Sequence, residues 1–244
     1  MSQVDILAVF AHPDDAELTV GGTLLKMKYL GYRTGVLDVT AGEMGTRGTP
    51  EGRALEAADA ANILKLDVRE NLGLPDGQVF VTDAERIKLV RALRKLKPRV
   101  VLTHQIGDPH PDHEHIAHLV RESARLASMQ RYDEETGAEK IAVPIVAHNI
   151  FSRRAELSFI VDISDFLEEK MATIRAHRSQ FYDPDSKEPE TRLTSEHYLN
   201  ELEGRSRYFG SLIGVMAGEP FYVREALNIA DPIDLLTRPM NLYS

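Results

Sequence analysis

The chain has 244 residues, 43% hydrophobic and 27% charged, which suits one large α/β domain with a core buried on both sides of a sheet. Its 29 basic and 38 acidic side chains leave a net charge of −9, which argues against a nucleic-acid partner and requires any anion site to be built locally from Arg or Lys. Cysteine is absent, so disulfides, thiolate zinc sites and cysteine nucleophiles are excluded, and a metal must rest on His, Asp or Glu.

The start, Met-Ser-Gln-Val-Asp, has no basic segment followed by an apolar one. No apolar run approaches the ~18 residues of a membrane span, so a cytoplasmic protein without a membrane partner is expected. Ile6 to Phe10 is a short apolar run that ends at Ala11-His12-Pro13, a buried strand feeding a loop. Gly21 to Leu30 has helical character and stops at Gly31. Thr34 to Val39 predicts a second strand, and Glu51 to Leu64 a helix with Ala54, Leu55, Ala58, Ala61 and Leu64 on one face. Asp67 to Leu72 predicts a third strand, followed by the turn signature Pro75-Asp76-Gly77. A helix over Asp83 to Leu96, capped by Thr82 or Asp83, precedes a β-branched strand at Arg99 to Thr103.

Beyond these, Ile145 to Phe151 and Phe159 to Ile163 read as strands, and Ser164 as the cap of a helix to about His177. Tyr182 to Glu190 is polar and punctuated by proline, a surface loop, and a helix over Glu196 to Phe209 follows. The alternation predicts a Rossmann-like, doubly wound, mostly parallel sheet over about 1–150, with a less regular extension over about 151–244, all in one domain. Such folds bind at the carboxyl ends of the strands. His12 follows the first strand, and His110 and His113 follow Arg99–Thr103, so two strand ends bring histidines to one edge of the sheet.

Two motifs sit there: Ala11-His12-Pro13-Asp14-Asp15 and His110-Pro111-Asp112-His113. A His-Pro alone is usually a loop and an Asp-Asp often a helix cap; the pair at two strand ends in a chain without cysteine favours a metal. A catalytic zinc site takes three protein ligands and leaves one position open, and His12, Asp15 and His113 would supply two imidazoles and a carboxylate. Asp14 is then left to take a proton from water as the base, and His110 to face the developing oxyanion. Such a site also accepts Fe(II), Co(II) or Mn(II).

Other histidines have blander readings. His113-Glu114 begins like H-E-x-x-H, but Ala117 occupies the second position. His115 and His118 read as supporting or surface residues, and His104, at a strand end, as a support. Gly42, Gly45 and Gly48 do not fit G-x-G-x-x-G, and Gly204-Arg-Ser206-Arg-Tyr208 lacks the final glycine of G-x-S-x-G. The glycine loop reaches the same edge with Arg47, and Arg53 opens the next helix. Each is either an anion or hydroxyl clamp, or a solvated side chain paired with Glu51 or Glu56.

The two motifs resemble the LmbE-like (PIG-L) family of zinc-dependent N-deacetylases. Leu37 to Thr49, Arg69 to Gly77, Val161 to Ser164 and Ser179 to Thr191 are similar to its bacillithiol-pathway branch, whose substrate is N-acetyl-α-D-glucosaminyl L-malate. The resemblance implies one zinc ion per subunit on His12, Asp15 and His113, Asp14 as base, and His110 as the charge-stabilising partner. It also implies substrate contacts from Arg53 and Asp76, and a homo-oligomer, trimer or hexamer. His177 and Gln180 lie in a family-like His-x-x-Gln stretch without an assigned role. The branch often carries Arg immediately before H-P-D-H, where this chain has Pro109; Arg47 is then the candidate to hold malate. The alternatives are a deacetylase of a chitooligosaccharide or mycothiol-type amide, and a sugar-binding protein with a structural metal.

Overall fold

The computed structural model describes residues 3–151 and 156–237; the expectations touching Met1, Ser2 and residues 238–244 lie outside these. Strands β1 (Ile6–Phe10) and β2 (Thr34–Asp38) are buried at every residue. Their unbroken apolar runs follow from helices on both faces. Leu7 and Val9 point into one core with Leu89, Leu93, Ile116 and Leu119. Ile6, Ala8 and Phe10 point into the other with Val20, Leu24 and Phe221. This two-residue alternation is what a strand imposes on a core divided by its own sheet.

The sheet order is β3-β2-β1-β4-β5-β7-β6, with β3 at Val68–Asn71, β4 at Val100–Thr103, β5 at Ile145–Asn149, β6 at Phe159–Asp162 and β7 at Gly218–Val223. The first five are parallel; β7 runs antiparallel between β5 and β6. The strand order reverses between β1 and β4, which pair from Ile6↔Val100 to Ala8↔Leu102. A crevice opens at such a switch point.

Helices α1 (Asp15–Tyr29), α2 (Pro50–Leu64), α3 (Asp83–Leu96) and α4 (Pro111–Ala127) connect the parallel strands. α3 starts where expected, with Thr82 and Glu85 forming a reciprocal capping box. Three expectations are corrected. α1 begins at Asp15, ahead of Gly21, because its first turns are buried all round and carry no amphipathic stripe. α2 turns Arg53, Glu56, Ala57, Ala60 and Leu64 inward, while Leu55 stands 71% exposed. Ser164 caps no helix: its hydroxyl donates to Asp162 Oδ1 at 2.7 Å, and α5 (Leu167–Arg175) starts after a 3-10 turn over Ser164–Phe166.

The sheet continues across residue 150. β6 and β7, with α6 (Tyr198–Leu212) packed on β7, extend the parallel half. β7 escapes the sequence because Pro220 interrupts it, and proline argues against an interior strand. A short α7 (Pro232–Leu236), capped by Asp231, follows.

Candidate active site

β1 ends at Phe10 and β4 at Thr103, and the segments leaving them meet over the switch point. His12 Nδ1 lies 3.1 Å from Asp15 Oδ2, and His113 Nε2 lies 3.4 Å from the same oxygen. The His12 and His113 rings are 5.4 Å apart, with His110 4.5 Å from His113 and 5.1 Å from His12. The sequence-predicted residues His12, Asp14, Asp15, His110 and His113 therefore line one cleft of about 570 Å³.

Three triads among the described residues bring ligand atoms within 4.8 Å of one another: His12–Asp15–His113, His12–His110–Asp112 and His104–Asp108–His113. Their other bonds separate them. Asp112 accepts Gly77 N at 2.7 Å and Val79 N at 3.3 Å, so it holds the turn after Asp76. His104 Nε2 accepts the Ala11 amide at 2.9 Å, which takes its lone pair. Its ring stacks on His113 at 3.9 Å, and Asp108 Oδ1 lies 3.3 Å from His113 Nδ1. Both are placed to orient His113, as residues behind a ligand do. The remaining donor set is then His12, Asp15 and His113, two imidazoles and a carboxylate, which fits a divalent ion.

The electrostatics agree with that fit. Burial opposes a protonated His12, yet Asp15 and Asp76 raise it to about 10. Burial likewise opposes His113, and Asp15 with Asp108 raises it to about 9. Burial alone would lift Asp15, but His113 and His12 hold it well below the usual carboxylate range. The cluster is a locus of concentrated negative charge that favours a cation.

Asp14 is buried and adopts φ 137°, ψ −29°, a conformation that L-residues rarely take. The turn is held by Arg53, whose Nη2 donates to Pro13 O at 2.8 Å and lies 3.5 Å from Asp14 Oδ1. Arg53 Nη1 donates to Gly42 O at 3.0 Å, and a Cβ at Gly42, with φ +68°, would fall 2.0 Å from that nitrogen. Burial raises Asp14 to about 6 despite Arg53.

Asp76 lines the cleft: its Oδ1 lies 3.0 Å from His12 Nε2, and its Oδ2 accepts Met44 N at 2.9 Å. The His12 bond leads the effects that lower it to about 2. Arg47 is placed otherwise. It is 5% exposed, stands outside the cleft lining, and donates to Glu188 at 3.3 Å and Ser186 at 2.5 Å. Neither Arg47 nor Arg53 pairs with Glu51 or Glu56 in the hydrogen bonds described; Glu56 instead accepts Ser179 N and Oγ.

Sequence reading missed the far wall of the cleft: Gln105, Asn149, Phe151, Leu193 and Tyr198. None has a local motif, and they come from three separate stretches of the chain. Gln180 lines the same wall and donates to Arg47 O at 2.9 Å. A larger surface cavity, about 810 Å³, runs along α3, α4 and the start of β5 and contains none of this cluster.

Residues 7–124 match the PIG-L family, described as GlcNAc-PI de-N-acetylase. A diacetylchitobiose deacetylase of Thermococcus kodakarensis is 32% identical over 192 residues, covering 72% of this chain and 70% of that protein. A probable N-acetyl-α-D-glucosaminyl L-malate deacetylase of Bacillus cereus is 26% identical over 188 residues, covering 72% and 83%. The crystal structure of a conserved protein of Thermus thermophilus superposes with a TM-score of 0.83 at 37% identity, covering 93% of this chain and 98% of that one.

Proposed function

This chain belongs to the PIG-L family of de-N-acetylases, and we propose that it is a zinc-dependent hydrolase that removes acetate from an N-acetylglucosamine conjugate. N-acetyl-α-D-glucosaminyl L-malate is its first candidate substrate. One observation carries the reading: His12, Asp15 and His113 converge at a switch-point cleft that also holds Asp14 and His110. A binding protein with a structural metal has no use for a buried, strained carboxylate beside three converging donors.

In this reading His12, Asp15 and His113 hold one zinc ion per subunit. When bound, the ion supplies Lewis acidity, polarising the acetamide carbonyl and making water a better acid at neutral pH. Asp14 accepts the proton of the attacking water through its carboxylate, which the Asp14 backbone and Arg53 aim into the cleft. His110, exposed at the N-cap of α4, donates to the oxygen on which charge develops. Asp14 returns the proton to the leaving amine. Asp76 and Arg53 border the sugar, as hydroxyl acceptor and as support of the turn.

A second reading has a specific observation behind it. Pro109 replaces the cation that the branch often carries, and Arg47 is committed to Glu188 and Ser186. Both favour a neutral aglycone such as a second hexosamine, in keeping with the similarity to a diacetylchitobiose deacetylase. An assembly of three or six copies completes the proposal and is read by light scattering. Acetate release across the malate, inositol and chitobiose conjugates, with metal analysis of the same sample, tests the reading. Stoichiometric metal and acetate from at least one conjugate are expected; metal-loaded protein inert on all three refutes it.

A further inference from the structure

Behind the Asp14–Asp15 turn lies a second set of buried charges that the proposed reaction does not use. Glu17, in the first turn of α1, is fully buried. Arg69 of β3 donates from Nη1 to Glu17 Oε1 at 2.5 Å and to Ala57 O of α2 at 3.1 Å. The same guanidinium grips Asp38 of β2 through Nε at 2.8 Å and Nη2 at 3.0 Å. His177, after α5 and 0% exposed, brings Nε2 to 3.4 Å from Glu17 Oε2. One carboxylate on α1 is thus tied to β3 and the segment after α5, and through Arg69 to β2 and α2.

Stability is a weak reason for such a cluster. Burying an ion costs several kcal/mol, and apolar replacements of similar volume are often neutral or stabilising. The location supplies another reason. Asp14 holds a strained backbone conformation, which persists only when its surroundings over-determine it. Its carbonyl accepts Leu18 N at 2.9 Å, so Asp14 and the first turn of α1 move as one body. Arg53 grips that body on its cleft side, at Pro13 O and Asp14 Oδ1. Glu17, which does not line the cleft, ties it to Arg69 and His177.

We infer that the Glu17–Arg69–His177 cluster is a positioning device: it fixes the rotation of α1 so that Asp15 and Asp14, two and three residues before Glu17, keep their directions. The lever is short. A side-chain atom ~6 Å from a helix axis moves about 1 Å when the helix turns by about 10°. Metal–ligand distances tolerate only about 0.2 Å. Glu17 and His177 touch neither metal nor substrate; they act through the turn. The inference rests on the proposed metal site, so its primary readout is zinc affinity rather than turnover.

Glu17→Gln keeps the shape and removes the charge. Its control is Glu219→Gln, in β7, whose carboxylate grips the same helix. Glu219 is also buried and accepts Gly22 N at 2.9 Å, Thr23 N at 2.7 Å and Lys170 Nζ at 2.6 Å, well past the first turn. Zinc is titrated into each metal-free full-length protein by calorimetry, with melting temperatures measured alongside. Glu17→Gln is expected to weaken zinc binding at least 10-fold and to lower kcat at least 30-fold with KM within 2-fold. Glu219→Gln is expected to leave zinc affinity and kcat within 3-fold despite a similar loss in melting temperature. If Glu17→Gln does not fold, His177→Gln, which leaves the Arg69–Asp38 pair intact, carries the comparison. A loss of zinc affinity no greater than that of Glu219→Gln overturns the inference. Wild-type protein that binds zinc but releases no acetate overturns the proposed reaction and leaves the zinc comparison standing; wild-type protein that binds no zinc overturns both.

Discussion

The parallel half of the sheet and the segment beyond Asn149 divide the cleft between them. The first contributes the donors, each on the segment leaving a strand end: His12 and Asp15 after β1, His113 at the start of α4 after β4. The second contributes a wall, with Phe151, Gln180, Leu193 and Tyr198 drawn from loops and a helix start. A doubly wound sheet concentrates polar groups at its switch point whatever the sequence beyond. None of these four wall residues belongs to a strand of the sheet. The division implies that chemistry belongs to one half and choice of conjugate to the other, and substitutions should separate accordingly.

The largest effects fall in the parallel half. His113→Ala removes a donor and should abolish zinc binding, with activity down by roughly 10⁴ or more; undiminished zinc by metal analysis would refute the assignment of that ligand. Asp14→Asn should retain zinc and lose about 10²–10⁴ in kcat, because a positioned acid–base group is worth that much. Near-wild-type turnover in that variant would move the base elsewhere in the cleft.

Smaller effects belong to the wall. Tyr198→Ala removes a largely buried ring, and about 1–2 kcal/mol of lost contact corresponds to a rise in KM of roughly 5–30-fold with kcat nearly unchanged. The increase should differ between malate and chitobiose conjugates. An equal increase on both, or a loss confined to kcat, would break the division of labour.

What could be read from the sequence follows the same line. Strands β1, β2 and β4 announce themselves by apolar or β-branched runs, and α3 by its Thr82–Glu85 box, because these signals are local. The histidine and aspartate pairs are local too, and the fold brings them together by strand order alone. The partner of Arg47, Glu188, lies 141 residues away in the loop before α6, beyond the reach of any local signal. Glu17 looks in sequence like one more acid in a helix's first turn, where the macrodipole favours acids anyway; only burial beside Arg69 and His177 distinguishes it. β7 is hidden by Pro220, and the cleft wall by having no period at all.

The smallest predicted effect tests where the two halves meet. Apolar periodicity puts Leu55 on the inner face of α2, yet the helix is rotated so that Glu56 points inward and accepts Ser179 N at 2.7 Å and Ser179 Oγ at 2.8 Å. A polar tie to the second half has overridden the apolar stripe. Leu55 is 71% exposed, so Leu55→Ala should change stability by no more than about 0.5 kcal/mol in denaturant unfolding. Glu56→Ala leaves the half-buried amide and hydroxyl of Ser179 without that acceptor and should cost about 1 kcal/mol. The order of these two losses is the test. If Leu55→Ala proved the more damaging, α2 would sit with its apolar stripe inward. Ser179 would then lose its anchor, and Gln180, whose amide holds Arg47 O, would no longer be fixed against the cleft.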